Sequence, residues 1–480
     1  MNAATGAPVY RALVRANGQA MLTDHEGRFQ FDQFASTANL TIEVRKPGYY
    51  FGNNGGSTRT LRGSEVGSGL VLRLTPEALI TGTVTAPDGS PIPRTAVVAL
   101  RSIYNQSGHR MISMGQGLTN DRGEFRITVP PGDYKVQTMF SGRGTGLFDA
   151  VLPVSYPADP GGVIHLTGGT EQRLELHPVV SRTYPVRLKI ETSPERGLPS
   201  LLARAGDGST FPIRVLRGEG SGDGDVQVAL PRGTFTLVAY ENRGDRMEYG
   251  EADVTVGENE DTGVTLQLGP VPPIPVQLIV DPESKSDNTP PTMQQLGVFL
   301  DDIRGLQAGL SPFSVAVQQN REMALRVAPG TYRLRSRSYG PWFVKAASYG
   351  TTDLLRDSMT VNWGAVSAPV VLTISNLTGT LQGSSEITTA AEATWIYAIP
   401  SGPASVPFYE VRSDADGNFR FPNLPPGSYQ VIAFEDRCDL NLADGKELSP
   451  FSSYVRAVNV RSGEMVAVRL ETVHAMEIRR

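Results

Sequence analysis

Five histidines are the natural place to look for metal chemistry: His25, His109, His165, His177 and His474. A zinc peptidase holds its metal through a short His-x-x-Glu pair and a third ligand far downstream. His474-Ala475-Met476-Glu477 has the short spacing, but only three residues follow it in this sequence. With no third ligand downstream the pair reads as chance, and no metal is expected. The one thiol, Cys438, lies in Asp436-Arg437-Cys438-Asp439. Acidic neighbours raise a thiol pKa and work against a nucleophile, so a partly buried structural thiol is expected. No Gly-x-Ser-x-Gly elbow serves a serine hydrolase. Asp414-Ala415-Asp416-Gly417-Asn418 opens like a calcium loop. Such a loop needs a Glu several residues on, and Phe419-Arg420-Phe421-Pro422 follows instead. An Asp-Gly hairpin turn accounts for it. Gly142-Arg143-Gly144-Thr145-Gly146 and residues 218–224 lack the Gly-Lys-Ser/Thr ending of a phosphate loop and read as hairpin loops. No catalytic residue and no cofactor is expected.

Sugar binding is the chemistry left open, and it calls for exposed aromatic platforms on loops. Candidates are Tyr49, Tyr50 and Phe51, before Gly52-Asn53-Asn54-Gly55-Gly56, and Tyr339 with Trp342 in Tyr339-Gly340-Pro341-Trp342-Phe343. The competing reading makes Trp342-Phe343-Val344 the start of a strand and Tyr49 the cap of one.

The elements that must position these residues follow from composition and repetition. The chain has 480 residues, with 51 glycines and 35 prolines, 39 % hydrophobic and 19 % charged residues. That is too apolar for a disordered chain, and it lacks the Ala, Glu, Lys and Leu runs of helical bundles. A net charge of −5 offers no basic excess for nucleic acid. No stretch approaches the roughly 18 apolar residues of a transmembrane helix. One cysteine allows no internal disulfide, so the fold must rest on hydrophobic cores.

Two motifs recur. Pro-x-Gly-x-aromatic appears at Pro130-Pro131-Gly132-Asp133-Tyr134, Pro231-Arg232-Gly233-Thr234-Phe235 and Pro425-Pro426-Gly427-Ser428-Tyr429, and in a shifted form at Pro329-Gly330-Thr331-Tyr332. Its glycines lie 101, 97 and 97 residues apart, so each repeat is a domain rather than a solenoid turn. A second motif precedes it: Thr23-Asp24-His25-Glu26-Gly27-Arg28-Phe29-Gln30-Phe31, then Thr119-Asn120-Asp121-Arg122-Gly123-Glu124-Phe125-Arg126-Ile127, then Ser413 to Phe421. Asp or Asn ahead of Gly supplies a tight hairpin turn, and Phe-x-Phe then alternates as a half-buried strand. The middle copies, after Gly224 and Arg321, are degenerate but keep alternating apolar residues. A closing signal comes next, at Gly169 to Leu176, Gly257 to Leu268 and Gly463 to Leu470. No stretch demands a helix.

Five units result, at 1–76, 77–177, 178–271, 272–375 and 376–480, with short Pro-containing joints that imply a semi-rigid rod. The first unit lacks an equivalent of Thr81-Gly82-Thr83-Val84, which would fall upstream of Met1. Its first strand is expected to be missing, which makes the chain a fragment or one whose start is assigned too late; a signal peptide is not present in this sequence.

Gly82-Thr83-Val84, Pro91-Ile92-Pro93, Asn120 to Phe125 and Pro130-Pro131-Gly132-Asp133-Tyr134 together resemble the carboxypeptidase regulatory-like domain. The first unit and the fifth, from Leu377-Thr378-Gly379-Thr380, resemble it too. The third and fourth are assigned by spacing alone. The resemblance implies an all-β chain: a tandem array of about five seven-stranded, antiparallel Greek-key β-sandwiches of the transthyretin (prealbumin) type. Cna-B-type repeats and starch-binding-type modules are similar. The whole chain resembles large bacterial proteins, common in soil Acidobacteria, that string such domains together behind an export signal. Some Cna-B-like repeats carry a Lys–Asn isopeptide link. The lysines here fall at no repeated position, so none is expected. The expected role is a non-catalytic binding, spacer or adhesion module, periplasmic or at the cell surface, monomeric, with a polysaccharide or another cell-surface protein as partner. The alternatives are a polysaccharide-binding protein proper, and the accessory region of a larger peptidase or outer-membrane transporter.

Overall fold

The computed structural model describes the chain apart from residues 17, 32–39, 52–57, 62–69, 106–107, 141–148, 160, 192–198, 207–209, 217–224, 244–245, 258–261, 286–287, 293, 304–314, 320–321, 363–367, 388–392, 415, 436, 439, 443–444 and 475–480. The glycine-rich stretches expected to be hairpin loops, at 142–146 and 218–224, lie outside the described residues. The chain divides into two compact units. One holds Met1–Ser102, Met111–Tyr184 and Ala229–Arg232; the other holds Ile103–Arg110, Pro185–Val228 and Gly233–Arg480. Nearly every element is a strand.

In the first unit, strand Leu13–Ala16 pairs antiparallel with Gln19–Leu22 on one side and Leu40–Arg45 on the other. Val14, Ala16, Ile42 and Val44 face a core that Phe29 and Phe31 also pack against. Further along, strand Ala78–Val84 buries every second residue. It pairs antiparallel with Glu124–Val129 and parallel with Glu171–Leu176. A facing sheet is built from Ala96–Asn105, Gly132–Thr138 and Ile164–Leu166, antiparallel in that order. Ile80, Val97, Phe125, Ile127, Tyr134, Val136 and Leu174 fill the space between the two sheets.

The second unit repeats this plan. Strand Ile274–Val280 pairs antiparallel with Glu322–Arg326 and parallel with Val370–Ser375. Strand Gly379–Ser385 pairs antiparallel with Asn418–Leu424 and parallel with Met465–Leu470. Strand Val180–Glu191 takes Thr262–Gln267 as a parallel partner. The facing sheets also recur: Ser200–Ala205 with Gly233–Arg243 and Arg246–Val256, Phe299–Asp302 with Gly330–Arg335 and Met359–Val361, and Trp395–Pro400 with Gly427–Phe434 and Arg456–Val460. In every copy the strand after the Pro-x-Gly motif is the centre of the second sheet.

At the parallel seam two glycines occupy equivalent places. Gly82 lies opposite Phe125, and Gly383 lies opposite Phe419. A Cβ on Gly82 would strike the Leu174 carbonyl and the Phe125 ring; one on Gly383 would strike the Val468 carbonyl and crowd the Phe419 ring. The aromatic ring fills the volume that a side chain would take. This corrects the sequence alignment of the fifth repeat by four residues. Gly379 pairs with Leu424 as Ala78 pairs with Val129, so Gly383, not Gly379, is the counterpart of Gly82.

The motif residues are explained by hydrogen bonds to their own backbone. The Asp24 Oδ1 accepts from the Glu26 and Arg28 amides at 3.0 and 2.7 Å. Asn120 Oδ1 accepts from Arg122 and Glu124, both at 2.9 Å, and Asp414 Oδ1 from Asp416 and Asn418 at 3.0 and 2.7 Å. Gly27, Gly123 and Gly417 supply the left-handed backbone that each turn requires, with φ of 71, 74 and 82°. In the other motif the Tyr134 hydroxyl donates to the Pro130 carbonyl at 2.6 Å, Tyr332 to Ala328 at 2.7 Å and Tyr429 to Pro425 at 2.6 Å. Each ring is buried, and its hydroxyl finds the carbonyl four residues back, as in a tyrosine corner.

The expectation of a helix-free chain is corrected by a short helix, Gly445–Leu448, and a 3-10 turn, Ser449–Phe451. Leu448 and Phe451 bury against Phe434 and Leu442, and the Glu447 carboxylate accepts from the Asn441 amide at 2.7 Å. Packing, not local propensity, holds this turn.

Overpacking a closed core costs about 1–3 kcal/mol. Gly82→Ala and Gly383→Ala are expected to lower stability by about 2 kcal/mol or more because backbone must move. Tyr429→Phe, which loses one hydrogen bond, is expected to cost about 1 kcal/mol. Urea or thermal unfolding of the three variants checks this order, and unchanged midpoints for the glycine variants would refute the seam.

Candidate functional site

Each candidate residue takes its place from the strands around it. Tyr49–Phe51 is a strand paired antiparallel with Leu74–Pro76. Phe51 points into the core at 5 % exposure, and Tyr49 packs against the same cluster, half-buried. Tyr50 is half-buried as well; burial, and then the nearby Glu77 carboxylate, push its phenol pKa up, while a hydrogen bond to Thr128 partly offsets them. The glycine- and asparagine-rich segment 52–56 lies outside the described residues.

The second aromatic pair separates sharply. Tyr339 and Trp342 exchange backbone hydrogen bonds of 2.9 and 3.0 Å across Gly340, whose φ is 56°. This tight turn sends the two rings to different environments. Tyr339 is 46 % exposed, whereas Trp342 is 2 % exposed among Val344, Leu354 and Leu372. Phe343 then opens strand Phe343–Tyr349, as the competing reading has it. Of these rings Tyr339 is exposed, whereas Trp342 and Phe51 are buried.

The polar candidates are occupied. Asp414 accepts two backbone amides at Oδ1, and the Asn418 side-chain Nδ2 donates to its Oδ2 at 3.3 Å. This is a hairpin clamp, and its two bonds to Oδ1 recur at Asp24 and Asn120. Cys438 is 4 % exposed among Phe434, Leu442 and Val473, and its backbone N–H donates to the Tyr397 hydroxyl at 3.0 Å. Burial raises the Tyr397 pKa. The described histidine rings are dispersed: His25 stacks on Tyr10 at 4.0 Å, His165 contacts Asp133 at 2.7 Å, His177 contacts Thr85 at 2.9 Å, and His474 lies 3.6 Å from Glu435. Glu477, the other half of the short zinc-like pair, lies outside the described residues. Among the described residues no three His, Cys, Asp or Glu side chains converge in a metal-holding group.

Sequence reasoning passed over one buried charge. Asp281, at the end of strand Ile274–Val280, is 5 % exposed and meets Lys345 Nζ at 2.7 Å. The lysine hydrogen bond holds the Asp281 carboxyl below its ordinary value, with further help from Ser375 and the Glu283 amide. The same bond raises the Lys345 ammonium pKa. The two residues are 64 positions apart, and no local pattern links them.

Residues 79–156 match the carboxypeptidase regulatory-like domain family. The match runs from within strand Ala78–Val84 to strand Ser155–Tyr156, over the residues that carry the resemblance in sequence. That family is a non-catalytic module. No curated protein matches the chain. Similar solved structures include the Bacillus anthracis TIE protein, at 10 % identity over 96 % of this chain and 68 % of that one, with a TM-score of 0.16. A Streptococcal ancillary pilin shows 12 % identity over 60 % and 99 %, with a TM-score of 0.19. The minor pilin of Streptococcus agalactiae shows 14 % over 45 % and 100 %, with a TM-score of 0.20. Among the described residues no helix is long and apolar enough to cross a membrane.

Because its folded pKa is depressed, Asp281 contributes stability above its unfolded pKa and loses it as pH falls through the folded value. Lys345→Met removes the cause, so the acid limb of unfolding is expected to move to higher pH; an unmoved limb in a pH series of melts would show the pair to be idle. Asp414→Ala is expected to cost about 1 kcal/mol, and calcium is expected to leave the parent melting temperature unchanged.

Proposed function

We propose that this chain is a non-catalytic, extracytoplasmic array of five β-sandwiches, at 1–76, 77–177, 178–271, 272–375 and 376–480, that serves as a binding, spacer or adhesion module. One observation carries the reading: the residues that recur are spent on the fold. Asp24, Asn120 and Asp414 each clamp a turn, and Tyr134, Tyr332 and Tyr429 each latch a carbonyl. What the repeats multiply is a support, not a reactive group. The location is supported by the resemblance to arrays that sit behind an export signal. A polysaccharide or another cell-surface protein is the partner class.

Cell fractionation with an antibody to the chain, together with a panel of peptide, ester and glycoside substrates, tests the reading. The chain is expected in the envelope or medium, and every substrate is expected to be recovered intact. A cytosolic chain, or turnover that tracks the purified protein through successive columns, would overturn it.

A further inference from the structure

Two adjoining cavities of about 460 and 500 Å³ open in the second compact unit. They share Lys345, Leu355 and Pro403, which border both halves of the groove. One wall is strand Phe343–Tyr349 with strand Val370–Ser375; the other comes from residues 400–409 and 425–429. We propose that this groove binds a neutral, linear oligosaccharide. The proposal rests on the binding-module reading above and names its ligand class.

The floor is built in advance. The hydroxyls of Ser336 and Ser405 lie 2.6 Å apart, and the Ser336 N–H donates to the Ser405 carbonyl at 3.2 Å. Both serines are buried, at 1 % and 4 % exposure. The two walls are thereby held in register without a ligand, so little ordering is left to oppose binding.

The charges are already matched. Lys345 is hydrogen-bonded to Asp281, and Arg356 Nε lies 3.3 Å from the Asp353 carboxylate. Glu283 adds a carboxylate to the lining. Phosphate or an acidic peptide would find its cations engaged and a further negative charge beside them.

What remains is hydroxyl and apolar surface. Ser348, Thr351 and Thr373 line one cavity, and Ser428 and Ser462 the other. Among the described residues none of these five side chains has a hydrogen-bond partner. A hydroxyl both donates and accepts, which suits a ligand that also carries hydroxyls of both kinds. Pro403, Pro426 and the half-buried Tyr409 supply the apolar patches against which the C–H face of a sugar ring lies. Burial pushes the Tyr409 phenol up to about 12, so it stays a neutral hydroxyl at physiological pH.

Calorimetric titration of the full chain with maltoheptaose, cellopentaose, xylohexaose and chitopentaose tests the proposal. At least one is expected to bind, with a dissociation constant of about 10 μM to 1 mM. Ser428→Trp, which fills the groove from an exposed position, and Thr373→Val, which deletes one hydroxyl, are expected to weaken it at least tenfold and about threefold. Melting curves identify any variant that fails to fold, and either variant alone suffices. Four outcomes would overturn the site: no heat with any sugar, affinity unchanged in both folded variants, preferential binding of a polyproline decamer, or loss of binding in Tyr339→Ala while both groove variants bind normally. Chromatography of the titrated sugar separates the two readings. Sugar bound and returned intact supports both. Sugar bound and shortened keeps the groove and overturns the non-catalytic role.

Discussion

The structure depends on a seam between strands far apart in the chain. From residue 78 onward, an opening strand accepts a closing strand in parallel register four times among the described residues: Ala78–Val84 with Glu171–Leu176, Val180–Glu191 with Thr262–Gln267, Ile274–Val280 with Val370–Ser375, and Gly379–Ser385 with Met465–Leu470. Parallel neighbours cannot be joined by a tight turn, so the rest of the domain must serve as the crossover. The entropy of closing so long a loop is met only when the whole core assembles. Gly82 and Gly383 mark where the seam is tightest, with a backbone carbonyl and a phenylalanine ring occupying the space of a side chain.

Around that seam the recurring polar residues act locally. A carboxylate or amide oxygen closes the hairpins at Asp24, Asn120 and Asp414, and a tyrosine hydroxyl closes the corners at Tyr134, Tyr332 and Tyr429. The hydroxyls lie on the core side, so each is supplied with a carbonyl rather than left unpaired. The third copy shows how much can vary. Phe235 stands where the other copies have tyrosine and forgoes the hydrogen bond, yet its strand keeps eleven paired positions with Arg246–Val256. Strand pairing and burial carry that copy without the corner latch.

How far the site was legible depended on the range of the interactions. The hairpins at Asp24, Asn120 and Asp414 were readable because an Asx turn and a left-handed glycine are settled within five residues. The closing signals at 169–176 and 463–470 were visible as strands, but not the partners they take. Nothing in Tyr339-Gly340-Pro341-Trp342 announces that one ring faces water and the other the core; that depends on where the turn meets Leu354 and Leu372. The four-residue correction at Gly379 and Gly383 has the same origin. Both glycines look suitable in sequence, and only the position of Phe419 across the sheet distinguishes them. The helix Gly445–Leu448 is too short to carry a periodic signal and exists because Leu448 and Phe451 have a core to enter.

The class of fold, the spacing of the repeats and the chemistry of each turn are written in the residues alone. These depend on φ preferences, side-chain-to-backbone reach and period-two alternation, all of which act over a few residues. Folding in three dimensions settled which strands meet in parallel, which aromatics are buried, and that Asp281 meets Lys345 across 64 residues. It also brought together Ser336 and Ser405, 69 residues apart, beneath a groove lined with hydroxyls. Serines and threonines scattered along a chain carry no signal. They become a surface only when folding brings their strands side by side.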